Sequence, residues 1–261
     1  MKIIVCIKQV PDTTEVKLDP KTGRLIRDGV PSIINPDDKN ALEEALRIKD
    51  ENPDTTVTVV SMGPPQADVA MREALAMGAD EAILISGREF GGSDTWATSY
   101  IIATAIKKIP DYDIIFCGRQ AIDGDTAQVG PQIAEQLNIP QITYVQKLDI
   151  EGDKVIVQRQ LEDGYTVVEA KMPVLLTAIK ELNTPRYMTP KGIFEAYNKT
   201  VQVWGFNDVP VDAEKIGLKG SPTNVNRTFS PEAKGKGIMI EGADKETVKT
   251  LIAKLDEKHL L

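Results

Sequence analysis

The chain has 261 residues, a net charge of −8 and a hydrophobic fraction of 41%, which is the usual mix for a soluble globular protein. Its lysines and arginines are scattered, so the composition argues against a nucleic-acid groove or an anionic membrane surface as partner. No apolar stretch approaches the roughly 20 residues that span a bilayer, and the N-terminal apolar run is too short for a signal peptide. We therefore expect a cytoplasmic protein with no membrane contact.

The chain has two cysteines, Cys6 and Cys117, and a single histidine, His259. Both cysteines lie in apolar runs typical of buried strands, where a thiol behaves as a small hydrophobe. A lone histidine near the C-terminus excludes His-based zinc sites and Ser-His or Cys-His catalysis. We expect no metal site and no catalytic side chain, so any redox chemistry requires a bound cofactor.

Apolar runs alternate with helical patterns over the first 140 residues. We expect strands at 3–7, 56–61, 82–86 and 113–117, helices at 36–50, 65–77, 95–108 and 128–137, and a small hairpin over 15–27. This alternation predicts an α/β fold: an open, mostly parallel, Rossmann-like sheet with helices on both faces. With the strand order 3-2-1-4, the ligand crevice would lie between the first and fourth strands, at their carboxyl ends.

The loop that follows the fourth strand reads Gly118-Arg-Gln-Ala-Ile-Asp-Gly-Asp-Thr-Ala127 and leads into a helix. A helix N-terminus behind a Gly-containing loop offers backbone N–H groups and a positive dipole end to an anion. We interpret the loop as a phosphate cradle; the alternative is a plain connection in which Asp123 or Asp125 caps the helix. The sequence has no Gly-x-Gly-x-x-Gly after the first strand and no P-loop, which excludes an ordinary dinucleotide dehydrogenase or P-loop enzyme.

The pattern changes after residue 140. Strands at 142–148, 155–161, 166–170 and 174–178 predict an antiparallel extension over 141–180, and an irregular segment covers 183–199. We divide the chain into an α/β domain, 1–200, whose parallel core is 1–140, and an extended arm with a C-terminal helix, 201–261. The terminal helix at 245–258 carries an apolar stripe with little chain nearby to cover it, which favours docking on a partner.

The chain from residue 1 to about 199 resembles the β subunit of electron-transfer flavoproteins. The most specific motifs are Val5-Cys-Ile-Lys-Gln-Val-Pro-Asp-Thr13, Asn35-Pro36, Glu43-Glu-Ala-Leu-Arg47, Ala74-Leu-Ala-Met-Gly-Ala-Asp80, Gly118-Arg-Gln-Ala-Ile-Asp123 with Gly130, and Asn183-Thr-Pro-Arg-Tyr187. The resemblance implies a heterodimer with an α subunit that carries its own FAD.

Within that family, the loop at 123–131 and the first strand end look like the electron-bifurcating kind, whose β subunit holds FAD; the alternative is the kind that holds AMP. Gly124, Thr126 and Ala127 are small enough to let the backbone approach a pyrophosphate. Carried over by resemblance, the cofactor-binding residues are Cys6, Ile7, Lys8, Asn35, Asp38, Met62, Gly63, Asp123, Gly124, Asp125, Thr126, Gln128, Val129 and Gly130. The two aspartates of the loop are assigned to hydroxyls or to the helix cap, because carboxylates repel phosphates.

The resemblance implies that NADH donates hydride to this FAD, and that the electrons divide between two routes. One passes through the α-subunit FAD to an acyl-CoA dehydrogenase-type partner, the other to ferredoxin or flavodoxin. Residues 183–199 match the dehydrogenase-docking region, but Pro190-Lys191 and Glu195, Tyr197 and Asn198 depart from the mitochondrial pattern, so no specific dehydrogenase is implied. The remaining alternatives are a one-flavin carrier with AMP and, from another class, a regulatory adenine-nucleotide-binding protein.

Overall fold

The computed structural model describes residues 1–12, 31–226 and 235–261. The hairpin expected over 15–27 lies outside these residues. The described chain forms two compact units, Met1–Asn224 and Val225–Leu261. Residues 201–224, which the sequence placed in the arm, therefore belong to the first unit.

Eleven strands occur in the described residues. They are β1 (Lys2–Cys6), β2 (Gln9–Pro11), β3 (Ser32–Ile34), β4 (Thr56–Met62), β5 (Glu81–Ile85), β6 (Ile114–Gly118), β7 (Gln141–Glu151), β8 (Lys154–Gln160), β9 (Tyr165–Lys171), β10 (Val174–Ala178) and β11 (Val201–Trp204). The seven α-helices of the same residues are α1 (Pro36–Glu51), α2 (Asp68–Met77), α3 (Thr95–Ile106), α4 (Val129–Leu137), α5 (Pro190–Asn198), α6 (Gly217–Gly220) and α7 (Lys245–Asp256).

The central sheet has the order β11-β5-β4-β1-β6-β10-β7-β8-β9. Its β5-β4-β1-β6 portion is the predicted 3-2-1-4 arrangement, and all of its pairs are parallel. Strand β6 is buried along its whole length, as expected for a parallel strand covered on both faces. The predicted fold class is confirmed, and the reversal of strand order lies between β1 and β6.

The edge of the sheet differs from the antiparallel extension expected over 141–180. Strands β7, β8 and β9 form the antiparallel meander, but β10 is inserted between β6 and β7 and runs parallel to both. After β7 the chain thus continues through the antiparallel strands β8 and β9, and it then returns to the parallel part of the sheet as β10. At the opposite edge, β11 pairs in parallel with β5.

Helices cover both faces of the sheet in two hydrophobic clusters. One cluster buries Leu42 and Leu46 of α1 and Met71 of α2, and the other buries Ile101 of α3 and Ile133 of α4. The interior positions of these helices are mostly apolar, but Val69 in the first turn of α2 is 64% exposed. The second unit contains α7, whose predicted apolar stripe includes Val248, Leu251 and Ile252, each about half exposed.

Among the described residues, no helix combines the length and the apolar character that crossing a bilayer requires.

Candidate functional site

A cavity of about 490 Å³ lies at the carboxyl ends of β1, β4 and β6. This is the switch-point crevice where open α/β sheets bind ligands, and the volume lies within the range of small-molecule sites. Its walls come from the ends of these strands, the loop at 118–128, and the first turns of α3 and α4.

Most of the predicted site residues line this cavity. They are Cys6, Ile7, Lys8, Asp38, Met62, Gly124, Asp125, Thr126, Gln128, Val129 and Gly130. The other three, Asn35, Gly63 and Asp123, are not among the lining residues. The amide of Gly63 donates to the carbonyl of Ile85 at 3.0 Å, so it joins β4 to β5 behind the cavity wall.

Asn35 and Asp123 act on the shape of the loop at 118–128. The Asn35 side chain donates to the carbonyl of Gln120 at 2.8 Å and accepts from the amide of Ile122 at 3.0 Å. It makes no capping hydrogen bond to α1, although its position before Pro36 predicts a cap. The Asp123 carboxylate forms an ion pair with the Lys8 ammonium at 2.6 Å. Both interactions therefore fix the shape of the loop through partners that are distant in the sequence: Asn35 binds it from outside, and its own Asp123 binds Lys8.

Neither aspartate of the loop caps α4. The residue before that helix is Gln128, and its side chain makes no capping hydrogen bond. Asp125 accepts instead from the Gln120 side-chain amide at 2.8 Å. Asp125 and Ala127 have φ angles of 50° and 51°, a left-handed conformation that costs a non-Gly residue roughly 1–2 kcal/mol. Such backbone strain is commonly found at ligand sites.

The floor of the cavity is built around Asp38. Its buried carboxylate accepts from the amide of Lys8 at 2.7 Å and from the amide of Gly118 at 2.9 Å, so it ties the end of β1 to the end of β6. Burial raises the pKa of Asp38 to about 7, against the opposing effect of these hydrogen bonds. A Cβ on Gly118 would lie 2.2 Å from the Asp38 carboxylate, so this position has room only for glycine.

The two cysteines also lie in the floor, as directly paired residues of β1 and β6. A hydrogen bond with the Cys6 thiol, together with burial, raises the pKa of Cys117 well above its ordinary value. A thiol in that state is a poor nucleophile at neutral pH. The cysteines therefore act as apolar floor, as their sequence context predicts.

Two helix N-termini meet at the cavity. The first turn of α4 presents Val129 and Gly130, and the first turn of α3 presents Thr95 and Thr98. The Thr95 hydroxyl donates to the Gln128 side-chain oxygen at 2.9 Å and joins the two helix starts. First-turn N–H groups have no intrahelical acceptor and the dipole end is positive. At α3 the Asp94 carboxylate accepts from one of these groups, the amide of Ala97 at 2.9 Å, whereas α4 has no side-chain cap, so the start of α4 can hold an anion.

The sequence reasoning did not include the α3 side of the cavity. Gly92, Ser93, Asp94, Thr95, Thr98 and Ile102 all line it. The signal was present, because Gly91-Gly-Ser-Asp94 is a second Gly-rich loop between a strand and a helix. Arg119 also lines the cavity, and its guanidinium lies 3.3 Å from the Asp37 carboxylate.

A second surface is formed by the segment at 183–199. Arg186 anchors this segment on α1 through a two-pronged ion pair with Glu43, at 2.9 and 3.1 Å, and a contact with Asp50 at 2.7 Å. These carboxylates raise the pKa of Arg186 above its already high ordinary value. Beyond the anchor, Tyr187 and Phe194 are 95% and 76% exposed. The segment is thus a firmly attached surface with projecting aromatic side chains.

The fold and the crevice define a Rossmann-like α/β protein with its candidate site at the topological switch point. The family model described as "Electron transfer flavoprotein domain" matches residues 22–209, and the chain belongs to the electron transfer flavoprotein family, as a β subunit. The resemblance that the sequence motifs indicated is therefore confirmed.

Curated relatives align over their full length. The electron transfer flavoprotein subunit beta of Thermoanaerobacterium thermosaccharolyticum is 62% identical over 262 residues, covering 100% of both chains. The caffeyl-CoA reductase-Etf complex subunit CarD of Acetobacterium woodii is 59% identical, again over 100% of both. The acryloyl-CoA reductase electron transfer subunit gamma of Anaerotignum propionicum is 53% identical over 100% of both. The class of function is therefore electron transport within a flavoprotein family.

Proposed function

We propose that this chain binds FAD in the β1–β6 cavity and works as the NADH-oxidising, electron-bifurcating half of an electron transfer flavoprotein. The observation that carries the proposal is the uncapped N-terminus of α4 at a switch-point cavity of about 490 Å³, next to the Gly-containing loop at 118–128. The first-turn amides of α4 and the backbone of this loop are anion-binding groups that suit a pyrophosphate.

The loop geometry fits a dinucleotide. A Cβ on Gly124 would meet nothing within 4 Å, so the backbone there is open to close approach by a ligand. The nearby carboxylates are engaged: Asp123 with Lys8 and Asp125 with Gln120. Because these side chains are held by donors of the protein, they repel a phosphate less than free carboxylates would.

Each part of the cavity has a separate task. The Lys8 ammonium offsets the negative charge of the Asp123 carboxylate beside the loop. Asp38 fixes the distance between the ends of β1 and β6, and the apolar floor around Cys6, Ile7 and Met62 excludes water from the buried end. When bound, FAD would supply the acceptor for hydride from NADH and pass electrons on singly, to the α-subunit FAD and to ferredoxin or flavodoxin.

The partners follow from the surfaces. An α subunit would cover the apolar stripe of α7, because exposed apolar helical faces of this kind mark interfaces. The aromatic surface at 183–199 would receive an acyl-CoA dehydrogenase-type partner, since aromatic residues are enriched at protein interfaces. Two of the relatives are named as subunits associated with CoA reductases, which supports this choice of partner. Family membership favours this electron-transfer role over a regulatory nucleotide-binding protein.

A coupled assay tests the bifurcating role. The chain is purified together with an electron transfer flavoprotein α subunit and supplied with NADH, ferredoxin and an acyl-CoA dehydrogenase with its enoyl-CoA substrate. We expect ferredoxin reduction by NADH only when the enoyl-CoA is present. NADH oxidation without ferredoxin reduction under any condition would contradict bifurcation. AMP in place of FAD is the alternative for the cavity, and the nucleotide content of the complex distinguishes the two.

A further inference from the structure

The start of α3 is joined to a segment more than 120 positions further along the chain. Asp94, the residue before α3, caps the helix by accepting from the amide of Ala97 at 2.9 Å with one carboxylate oxygen. Its other oxygen accepts from both the amide and the hydroxyl of Thr223, at 2.9 and 2.7 Å. The amide of Asp94 donates to the Ser221 hydroxyl at 2.9 Å. One cavity-lining residue thus holds the helix and the distant segment together.

Two further bonds extend this junction. The buried Ser221 hydroxyl donates to the carbonyl of Gly217 at 2.7 Å. The amide of Gly217 in turn donates to the hydroxyl of Ser93, another cavity-lining residue, at 2.9 Å. We call residues 216–223 the strap. Apart from the Asp94 cap of α3, these hydrogen bonds join the strap to the cavity rim at 92–95 or stabilise the strap itself.

The backbones of strap and rim also approach closely. Gly217 has a φ of +63°, and a Cβ on it would lie 2.5 Å from the carbonyl oxygen of Glu89. Gly92 has a φ of +79°, and a Cβ on it would lie 3.1 Å from the Cβ of Leu218. Both positions need glycine for conformation and for space. The strap is therefore a packed part of the rim and not a loosely attached loop.

The strap also orients a charged carboxylate at the start of α3. Burial would raise the pKa of Asp94, but the hydrogen bonds from Ala97 and Thr223 outweigh it and hold the pKa below its ordinary value. The carboxylate is consequently charged and turned toward these donors. Without the Thr223 bonds this carboxylate would be free to turn toward the cavity, where its negative charge would oppose a phosphate.

We propose that the strap is a positioning element for the cofactor, in which Ser221 and Thr223 lock the N-terminus of α3 in its ligand-binding place. The proposal rests on the proposed function, since it assigns the α3 rim to the wall of the cofactor site. Cofactor retention then depends on residues that never touch the cofactor.

The test uses the full chain in complex with an α subunit, after removal of bound nucleotide, with FAD and ADP as separate probes. The double variant Ser221→Ala, Thr223→Val removes the hydroxyls. A hydrogen bond to a charged group contributes enough that its loss weakens binding about tenfold, so we expect about tenfold weaker binding of both probes. The single variant Thr223→Ser keeps both hydroxyls, and we expect it to bind both probes with the affinity of the wild type. The control Thr104→Val removes a hydroxyl bonded within α3, to the carbonyl of Tyr100 at 2.7 Å, and leaves affinity unchanged.

Equal affinity in the double variant and the wild type would overturn the proposal, as would equal weakening in the control. If the wild-type complex binds neither probe, the proposed function fails, and hydrogen exchange then decides on the strap alone. Faster exchange of the amides at 95–98 in the double variant than in the control supports the lock. Equal exchange in the two refutes it.

Discussion

Replacement of Asp38 by asparagine tests how the floor of the cavity is held. The carboxylate is buried and binds the amides of Lys8 and Gly118. Burial raises its pKa from 3.8 to about 7. Because the folded-state pKa lies above the unfolded-state value, folding takes up a proton between the two. The contribution of Asp38 to stability is therefore complete below the unfolded-state pKa and is lost as the pH rises through about 7.

The size of this effect follows from the shift. A difference of about three pKa units, at about 1.4 kcal/mol per unit, corresponds to about 4 kcal/mol over the full titration. Between about pH 5 and about pH 8, about 2.5 kcal/mol of it is lost. Asp38→Asn has no titrating group at this place, so its free energy of unfolding lacks this component of the pH dependence.

Urea denaturation of the wild type and of Asp38→Asn at both pH values measures the difference. Other titrating groups, such as Asp37 and Glu44, are present in both proteins and cancel. We expect the free energy of unfolding of the wild type to fall by about 2.5 kcal/mol more than that of the variant. Parallel pH profiles would show that Asp38 titrates near its ordinary pKa, which would refute the reasoning about the floor.

Three further substitutions probe the loop, the floor and the second surface. Gly124→Val should leave the urea midpoint of the nucleotide-free protein unchanged, because a Cβ there meets nothing within 4 Å; by blocking approach to the backbone it should weaken nucleotide binding by this chain at least about tenfold, so that the purified complex loses this nucleotide and keeps that of the α subunit. Gly164→Val, in equally open space, is its control, and unchanged nucleotide in Gly124→Val would disprove the placement of the phosphates. Gly118→Ala should lower the free energy of unfolding by about 3 kcal/mol, because the added methyl group overpacks against Asp38. A decrease below about 0.5 kcal/mol would show that the surrounding residues move to accommodate the methyl group. Arg186→Ala leaves the buried Glu43 carboxylate without its ion-pair partner and should lower the free energy of unfolding, measured by urea denaturation, by about 3 kcal/mol. A variant as stable as the wild type would show that this anchor is not needed.

The strand order and the position of the cavity could be predicted from the sequence, because each rests on local signals. Continuous apolar runs mark buried parallel strands, and the alternation with helices leaves few topologies. The return of β10 into the parallel sheet could not be predicted in this way. Its apolar run, Val174–Ala178, is compatible with either direction, and only long-range packing between β6 and β7 decides between them.

The candidate site, too, could be predicted from the sequence only in part. The loop at 118–128 and the strand ends carry recognisable residue types at the expected places, and most of them line the cavity. Asn35 has the residue type and position of a helix cap, yet its amide is used by a loop 85 residues away. The Asp94 junction with Thr223 spans 129 positions. A local pattern cannot reveal such partners, because the same side chain can satisfy its hydrogen bonds locally or at long range.

The nucleotide content of the complex most directly tests whether this chain holds FAD. The chain is co-purified with its α subunit and denatured, and the released nucleotides are separated by chromatography and quantified against protein. We expect two FAD and no AMP per heterodimer, with the FAD content falling to one in Gly124→Val and staying at two in Gly164→Val. One FAD and one AMP per heterodimer would contradict the proposed cofactor and with it the bifurcating role.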